Sequence, residues 1–507
     1  MAFYAFYVIA IVILILHFTG WLKRNNLEWL VLVLAACAQV RNPATGELQY
    51  TSMTPQDEVR IGRQEHPRVL AEFGGEAKDT KARAYVQEIG QKVKAVSELA
   101  QQPFTFTLLD SDMANAFALP GGYVYVTRGL LALADDEAEL AGVLGHEIGH
   151  VTARHTAQRY DRAMLGQLGA IAATIAGGIL AGEAGAQLGQ ALGGTLATAY
   201  VQGFSREQEL EADRLGIRYL ARAGYDPVAM ASMLDALEAE SRLRARIEGQ
   251  KDTVPDWLRS HPRTKDRVRE AAAAAAGKES GRRERERFLA AIDGLTFGES
   301  PAQGFVRGTR FVHPELDFRF EAPPGFTLIN RPNAVIGRAG DGRFLQFDLG
   351  EAKGSVDPAT YLQQEWVPKQ RLERVRSIAT QDGRRGALGL GRVVFRNKPA
   401  AAMFAVVESG RPRQFYRFVL LREGGLSSAD LAAYEATVRS LRRLDAADRA
   451  EARPYRIRIH TVRPGESEAS LAARMAIPNG AEWFAVLNDT TRRPVRPGEK
   501  VKLVVRE

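Results

Sequence analysis

The sequence predicts a multidomain α+β chain: a mostly helical domain with a small sheet, then an α+β sandwich module, then a small third unit. Three observations carry this. At 507 residues the chain exceeds what one hydrophobic core usually serves. Over much of residues 55–275 apolar side chains recur at spacings of three and four, as amphipathic helices require. From about residue 305 the pattern changes to alternation, in "LDFRFEAP", "RFLQFDLG", "GRVVFRN", "AMFAVVES" and "QFYRFVLLR", as half-buried strands require.

The N-terminus holds two apolar runs. Residues 1–22, "MAFYAFYVIAIVILILHFTGWL", carry no acidic or basic side chain and are long enough to span a bilayer. A second, shorter run from Leu27 to Ala36 follows Lys23 and Arg24 and ends in Leu34-Ala35-Ala36-Cys37, which resembles a bacterial lipobox. Cys37 is the only cysteine, so there is neither a disulfide framework within the chain nor a cysteine metal cluster. The expectation is that residues 1–36 are a hydrophobic segment and lipoprotein signal, and that a lipidated Cys37 anchors the chain to the periplasmic face of an outer membrane. Two alternatives stay open: residues 1–22 as an inner-membrane anchor that keeps the remainder on the cytoplasmic side, or translation starting near Leu22. The net charge of +8 is spread in mixed runs such as "GRRERERF", read as a solvated surface, and no phosphate loop or nucleic-acid motif accompanies it.

Residues 37–52 read as a polar tether and 53–275 as the first domain. In it "DEVRIGRQEHPRVLAEF" and "KARAYVQEIGQKVKAV" are helical, "FTFTLLD" is a strand, and "NAFALPGGYVYVTRGLL" is a strand, a Pro-Gly-Gly turn and a second strand. A helix from Asp135 to about Tyr160 follows, with acidic residues at its start where the helix dipole favours them. The Ala/Gly-rich stretch 163–199 reads as a packed helical hairpin, or alternatively as a membrane-touching element. Helices resume at "REQELEADRLGIRYLARAG" and "PVAMASMLDALEAESRLR". Residues 276–304 read as a linker, 305–445 as the second module, 446–454 as a further linker and 455–507 as the third unit.

The chemistry lies in "AGVLGHEIGH". Residues four apart on a helix project about 40° from one another, so His146 and His150 share a face and can fill two corners of a zinc tetrahedron. Glu147 is placed to act as general base on a metal-activated water. The bare H-E-x-x-H pattern is short, so it needs a third ligand elsewhere. His155 is nine residues beyond His146, half a turn out of phase on a straight helix, and is expected to be structural.

With "SREQELEADRLG" the chain resembles the HtpX/BepA/CaaX-protease group of zinc metallopeptidases, the forty-eighth metallopeptidase family, in which H-E-x-x-H is joined by a downstream E-x-x-A-D helix. The resemblance covers roughly residues 53–275 and implies a zincin-type metalloprotease domain with one zinc per chain held by His146, His150 and Glu209. It places Asp213 to accept a hydrogen bond from a ligand histidine, while Glu211 faces elsewhere. "NAFALPGGYVYVTRGLL" resembles the family's edge strand, so Asn115, Ala116 and Phe117 are expected to pair with an extended substrate. "SHPRTKDR" resembles its His-Pro segment, giving His261 either a catalytic role at the oxyanion or an inhibitory one on the zinc.

Residues 305–445 resemble PsbP/Mog-like modules of exported proteins, and 455–507 resemble a LysM-like module, which implies peptidoglycan as a partner. The function expected is zinc-dependent endopeptidase activity on misfolded or misassembled envelope proteins. Its rivals are a membrane-anchored HtpX-type protease on the cytoplasmic side and a chaperone-like envelope-binding scaffold with a latent zinc site.

Overall fold

A computed structural model describes residues 38–162, 203–247, 261, 265–276, 280–396 and 398–507. Cys37 with the hydrophobic segment before it, and the Ala/Gly-rich stretch 163–199, lie outside the described residues. The chain is α+β and divides into two compact units. The first holds residues up to Val69, Glu76–Leu295 and Ile457–Val505; the second is mainly Thr296–Arg456.

In the first unit, strands β1 (Ala38–Arg41) and β2 (Leu48–Thr51) form an antiparallel hairpin within the stretch read as a tether. Helix α1 (Pro55–Glu72) and helix α2 (Thr80–Lys94) follow. Asp79 caps α2 by accepting from the Ala82 amide, and Ala82, Tyr85, Val86, Ile89 and Val93 bury its apolar stripe. Strands β3 (Thr105–Leu109), β4 (Ala116–Leu119) and β5 (Tyr123–Thr127) form a sheet in the order β3-β5-β4, with β3 parallel and β4 antiparallel to β5. The β4–β5 turn needs glycine: Gly121 and Gly122 have φ of +79° and +86°, and a Cβ on Gly121 would sit 2.6 Å from the Val59 Cα.

Helix α3 (Arg128–Leu133) leads straight from β5 into helix α4 (Glu137–Thr152), which carries the histidine motif. The periodicity predicts one helix to about Tyr160, but the structure ends it at Thr152. Arg154 takes a left-handed φ of 56°, a conformation uncommon outside glycine, and its buried guanidinium bonds Glu58 (3.0 Å) and the Met53 carbonyl (2.6 Å). Helical structure restarts at His155. Helices α5 (Arg206–Arg222), α6 (Ala229–Ile247), α7 (Lys265–Ala275) and α8 (Arg285–Ile292) complete this part. Ser205 and Gln208 form a capping box at the start of α5.

Helix α8 lies inside the segment read as a linker, and "GRRERERF" is solvated only in part. Arg283 pairs with Asp136 (3.1 Å) and Asp226 (2.9 Å), Arg285 with Asp135 (3.2 Å) and Arg287 with Glu137 (2.5 Å). Three alternate arginines thereby neutralise the acidic start of α4. Glu137, fully buried, also accepts from Tyr85 (2.6 Å) and Tyr225 (2.5 Å).

The second unit contains the short strand β6 (Thr296–Phe297) and a three-stranded antiparallel sheet of β7 (Phe305–Arg307), β8 (Arg310–His313) and β9 (Phe318–Glu321). Its main sheet is built from β10 (Thr327–Arg331), β11 (Ala334–Arg338), β12 (Arg343–Glu351), β13 (Glu373–Ala379), β14 (Arg385–Phe395), β15 (Lys398–Glu408) and β16 (Gln414–Glu423). Its seven antiparallel strands run β10-β11-β12-β16-β15-β14-β13. Alternation along β15 serves two cores: Met403, Ala405 and Val407 join one, and Ala402, Phe404 and Val406 the other. Helix α9 (Ser428–Arg439) covers the first core with Tyr434 and Val438. Helix α10 (Ala446–Glu451) occupies the stretch read as a second linker.

Strand β17 (Tyr455–Thr461), helices α11 (Glu468–Ala472) and α12 (Gly480–Asn488), and strand β18 (Lys500–Arg506) end the chain. From Ile457 to Val505 these residues belong to the first compact unit.

Candidate metal centre

Small residues bring the two halves of the centre together. A Cβ on Gly145 of α4 would lie 3.2 Å from the Gly216 Cα of α5, and one on Gly149 would lie 3.1 Å from the Ala212 carbonyl oxygen. Backbones this close leave the side chains one turn away no option but to meet. Glu209 of α5 therefore reaches His146 and His150 of α4, at 3.6 Å and 3.5 Å from their Nε2 atoms. His261 joins them, its Nδ1 lying 2.9 Å from Glu209 Oε1 and 3.3 Å from His146 Nε2. One donor atom from each of His146, His150, Glu209 and His261 falls within 4.8 Å of the others, and all four residues are buried.

The chemistry of this donor set fits a cation. Asp213 Oδ1 lies 2.8 Å from His146 Nδ1, and the same carboxylate accepts two bonds from Arg267, at 2.7 Å to Nε and 2.8 Å to Nη2. With Asp213 ionised, a neutral His146 would carry its proton on Nδ1 and present an Nε2 lone pair. The Nε2 atoms of His146 and His150 face each other at 3.0 Å, with Glu209 beside them. Lone pairs and a carboxylate converging in a buried space call for positive charge.

Burial raises the Glu209 carboxyl, but His261 and Arg267 outweigh it and hold Glu209 well below the usual carboxylate range. Asp213 is lowered too, since Arg267 and His146 overcome its burial. Burial pushes His150 well below the ordinary imidazole value. For Glu147 burial wins over His261 and His146, and its carboxyl is raised. Glu147 is 0% exposed, its oxygens accept no hydrogen bond among the described residues, and His261 Nε2 stands 3.5 Å from Oε1.

Two participants have no mark in the sequence. Arg267, 0% exposed, bonds Asp213, meets Glu209 Oε2 at 2.7 Å and reaches the His261 carbonyl at 3.4 Å, so one guanidinium ties three parts of the centre. It lies in "SHPRTKDR", where nothing in its spacing separates it from the chain's other arginines. The break after α4 brings the second, His155, back toward the centre: its Nδ1 lies 2.9 Å from His150 Nδ1 and its Nε2 3.1 Å from Glu211 Oε2. Glu211 is not one of the four-residue group and pairs with His155 instead.

Asn115, Ala116 and Phe117 lie where β4 begins, at the rim of the sheet, and α4 packs against β4. The Asn115 amide donates to Thr127 Oγ1 (2.9 Å), and its carbonyl accepts from the Thr127 amide (3.0 Å). Phe117 stacks on Tyr125 at 4.9 Å between ring centroids. On its outer side β4 has no strand neighbour among the described residues.

Residues 80–275 match the model of peptidase family M48. The beta-barrel assembly-enhancing protease of Yersinia pestis is 39% identical over 196 residues, 37% of this chain and 37% of that protein. The protein of the same name from Escherichia coli K12 is 37% identical over 195 residues, again 37% of each chain. The mitochondrial metalloendopeptidase OMA1 of Schizosaccharomyces pombe is 28% identical over 231 residues, 45% of this chain and 64% of that one. The chain thus spans less than two thirds of the length of these relatives. Among solved structures, the Ran-binding protein Mog1p of Saccharomyces cerevisiae gives a TM-score of 0.22 at 13% identity, covering 28% of this chain and 99% of that one, too low a likeness to argue from.

Proposed function

We propose, from the match of residues 80–275 to peptidase family M48 and from their buried His/His/Glu/His group, that the chain is a zinc-dependent endopeptidase acting on misfolded or misassembled envelope proteins. The observation that carries the reading is the meeting of Glu209 with His146 and His150 across a glycine-lined helix crossing. Zinc, when bound, supplies Lewis acidity, making a water acidic near neutral pH and polarising a carbonyl.

The chain's own residues do the rest. His146, His150 and Glu209 hold the metal, and Asp213 fixes the His146 ring while Arg267 fixes Asp213. Glu147 takes the proton released from water and passes it to the leaving amine, a task suited to a carboxylate with no competing hydrogen bond among the described residues. Asn115, Ala116 and Phe117 begin the strand whose outer side pairs with an extended substrate backbone, recognition that reads main chain rather than one side chain and so suits unfolded proteins. His261 is a resting-state ligand. With His261 also bound, four protein donors would complete the coordination of zinc, and a substrate carbonyl would need the position that His261 vacates.

The setting proposed is the periplasmic face of an outer membrane, reached through a lipidated Cys37. The lipobox-like Leu34-Ala35-Ala36-Cys37 and the names of the bacterial relatives support it. Among the described residues no helix is long and apolar enough to cross a membrane. Peptidoglycan is the proposed ligand of residues 455–507, on the LysM-like order of their segments.

Metal analysis tests the site. Wild type should carry one zinc per chain, and Glu209→Ala introduced together with His261→Ala should lose most of it, because the two remaining imidazoles are too few ligands to hold zinc. Full zinc in that double variant would show that another residue completes the site.

A further inference from the structure

Lys502, on β18, is 0% exposed. Its ammonium donates to the carbonyls of Ala132 (3.1 Å), Leu133 (3.1 Å) and Ala134 (2.9 Å), and lies 3.4 Å from Asp135 Oδ1. Those carbonyls end helix α3, where backbone oxygens lack helical partners and the helix dipole is negative. Three N–H donors against three such oxygens and a carboxylate form a complete site for one buried cation. A buried ammonium is tolerated only when it is satisfied in this way.

The contact is one of several within this unit. Arg492 pairs with Asp235 (2.7 Å), Arg493 with Asp135 (3.3 Å), Arg285 donates to the Lys500 carbonyl (3.2 Å), and Arg244 lies over the Trp483 ring at 5.4 Å. Burial pulls the Lys502 ammonium below the usual lysine range. Asp135 would be raised by burial, but Lys502, Arg285 and Arg493 hold it below the usual value.

The place that Lys502 holds is specific. Residues 128–136 are the covalent link between β5, which carries the edge strand β4, and α4, which carries His146, Glu147 and His150. Fixing this corner fixes the distance from the proposed substrate strand to the proton acceptor. The metal ligands are held separately, by the α4–α5 crossing and by Arg267 of α7.

We propose that residues 457–505 are a working part of the peptidase unit, with Lys502 as a positioning residue that sets β4 against α4. This rests on the peptidase reading above. Removing Lys502 should therefore misplace substrate relative to the attacking group and leave the metal in place.

The test uses full-length, zinc-loaded wild type, Lys502→Met and Arg492→Ala. Three quantities are measured: zinc per chain, kcat and KM on unfolded casein, and hydrogen exchange of peptides covering 128–140. Lys502→Met should keep its zinc and its KM, lose about ten- to a hundredfold in kcat, as small misplacements of reacting groups do, and exchange faster at 128–140. Arg492→Ala, which removes an exposed rim pair, should stay within about twofold of wild type. Unchanged kcat and exchange in Lys502→Met would overturn the proposal, as would zinc lost in parallel with kcat. If Lys502→Met is recovered only as aggregate, Asp135→Asn carries the same expectation, since it keeps the shape and removes the counter-charge; unchanged kcat there also overturns it. Absence of turnover in wild type and in His261→Ala alike would refute the peptidase reading itself, and the exchange data then decide the positioning role alone.

Discussion

His261 faces two demands that cannot both be met. As an oxyanion stabiliser it would have to stand off the metal with a donor aimed at substrate. As a resting ligand it would have to share the space of His146 and Glu209, and it stands 3.3 Å and 2.9 Å from them. His261→Ala at matched zinc content should therefore raise turnover of an unfolded protein severalfold, by opening a coordination position. Lower turnover would assign His261 to the transition state instead. Residues whose roles follow from spacing on one helix, such as His146, Glu147 and His150, are legible in sequence because helical geometry alone places them. Glu209 is legible only through the second motif. Arg267 and His155 are not legible, because their positions depend on the packing of α7 against α5 and on a helix break that periodicity does not record.

The crossing of α4 and α5 is the element on which the centre depends. A Cβ at Gly216 would meet the His146 amide nitrogen at 3.0 Å and the Met230 methyl at 2.8 Å, and of these only the methyl can move cheaply. Gly216→Val should push the helices apart, lower stability by about 1–3 kcal/mol as overpacking does, and weaken zinc retention by drawing Glu209 from the histidines. Thermal melting and chelator competition check both effects. Wild-type values in both would mean that the helices are not set by these glycines. The helices themselves are legible from apolar spacing, but the end of α4 is not. No glycine or proline marks it; a buried arginine held by Glu58 and the Met53 carbonyl does.

Across the whole chain, the sequence shows where helical and alternating patterns change but not which segments pack together. "GRRERERF" has the composition of a solvent-facing run, yet Arg283, Arg285 and Arg287 each find a carboxylate at the head of α4. The last fifty residues look self-contained in order of elements, yet Lys502 buries its charge against α3. Both cases concern long-range charge pairing, which composition registers only as charge.

Turnover of unfolded casein by zinc-matched wild type and Glu147→Gln tests the account most directly. Glu147 reaches neither into the helix crossing nor into the Asp213–Arg267 pair, so its amide isostere should keep zinc and fold while losing proton transfer. Wild type should cleave casein, and Glu147→Gln should be slower by at least about a hundredfold at equal zinc. Equal cleavage by the two proteins, or none by either wild type or His261→Ala, would contradict a metal-dependent peptidase built on this centre.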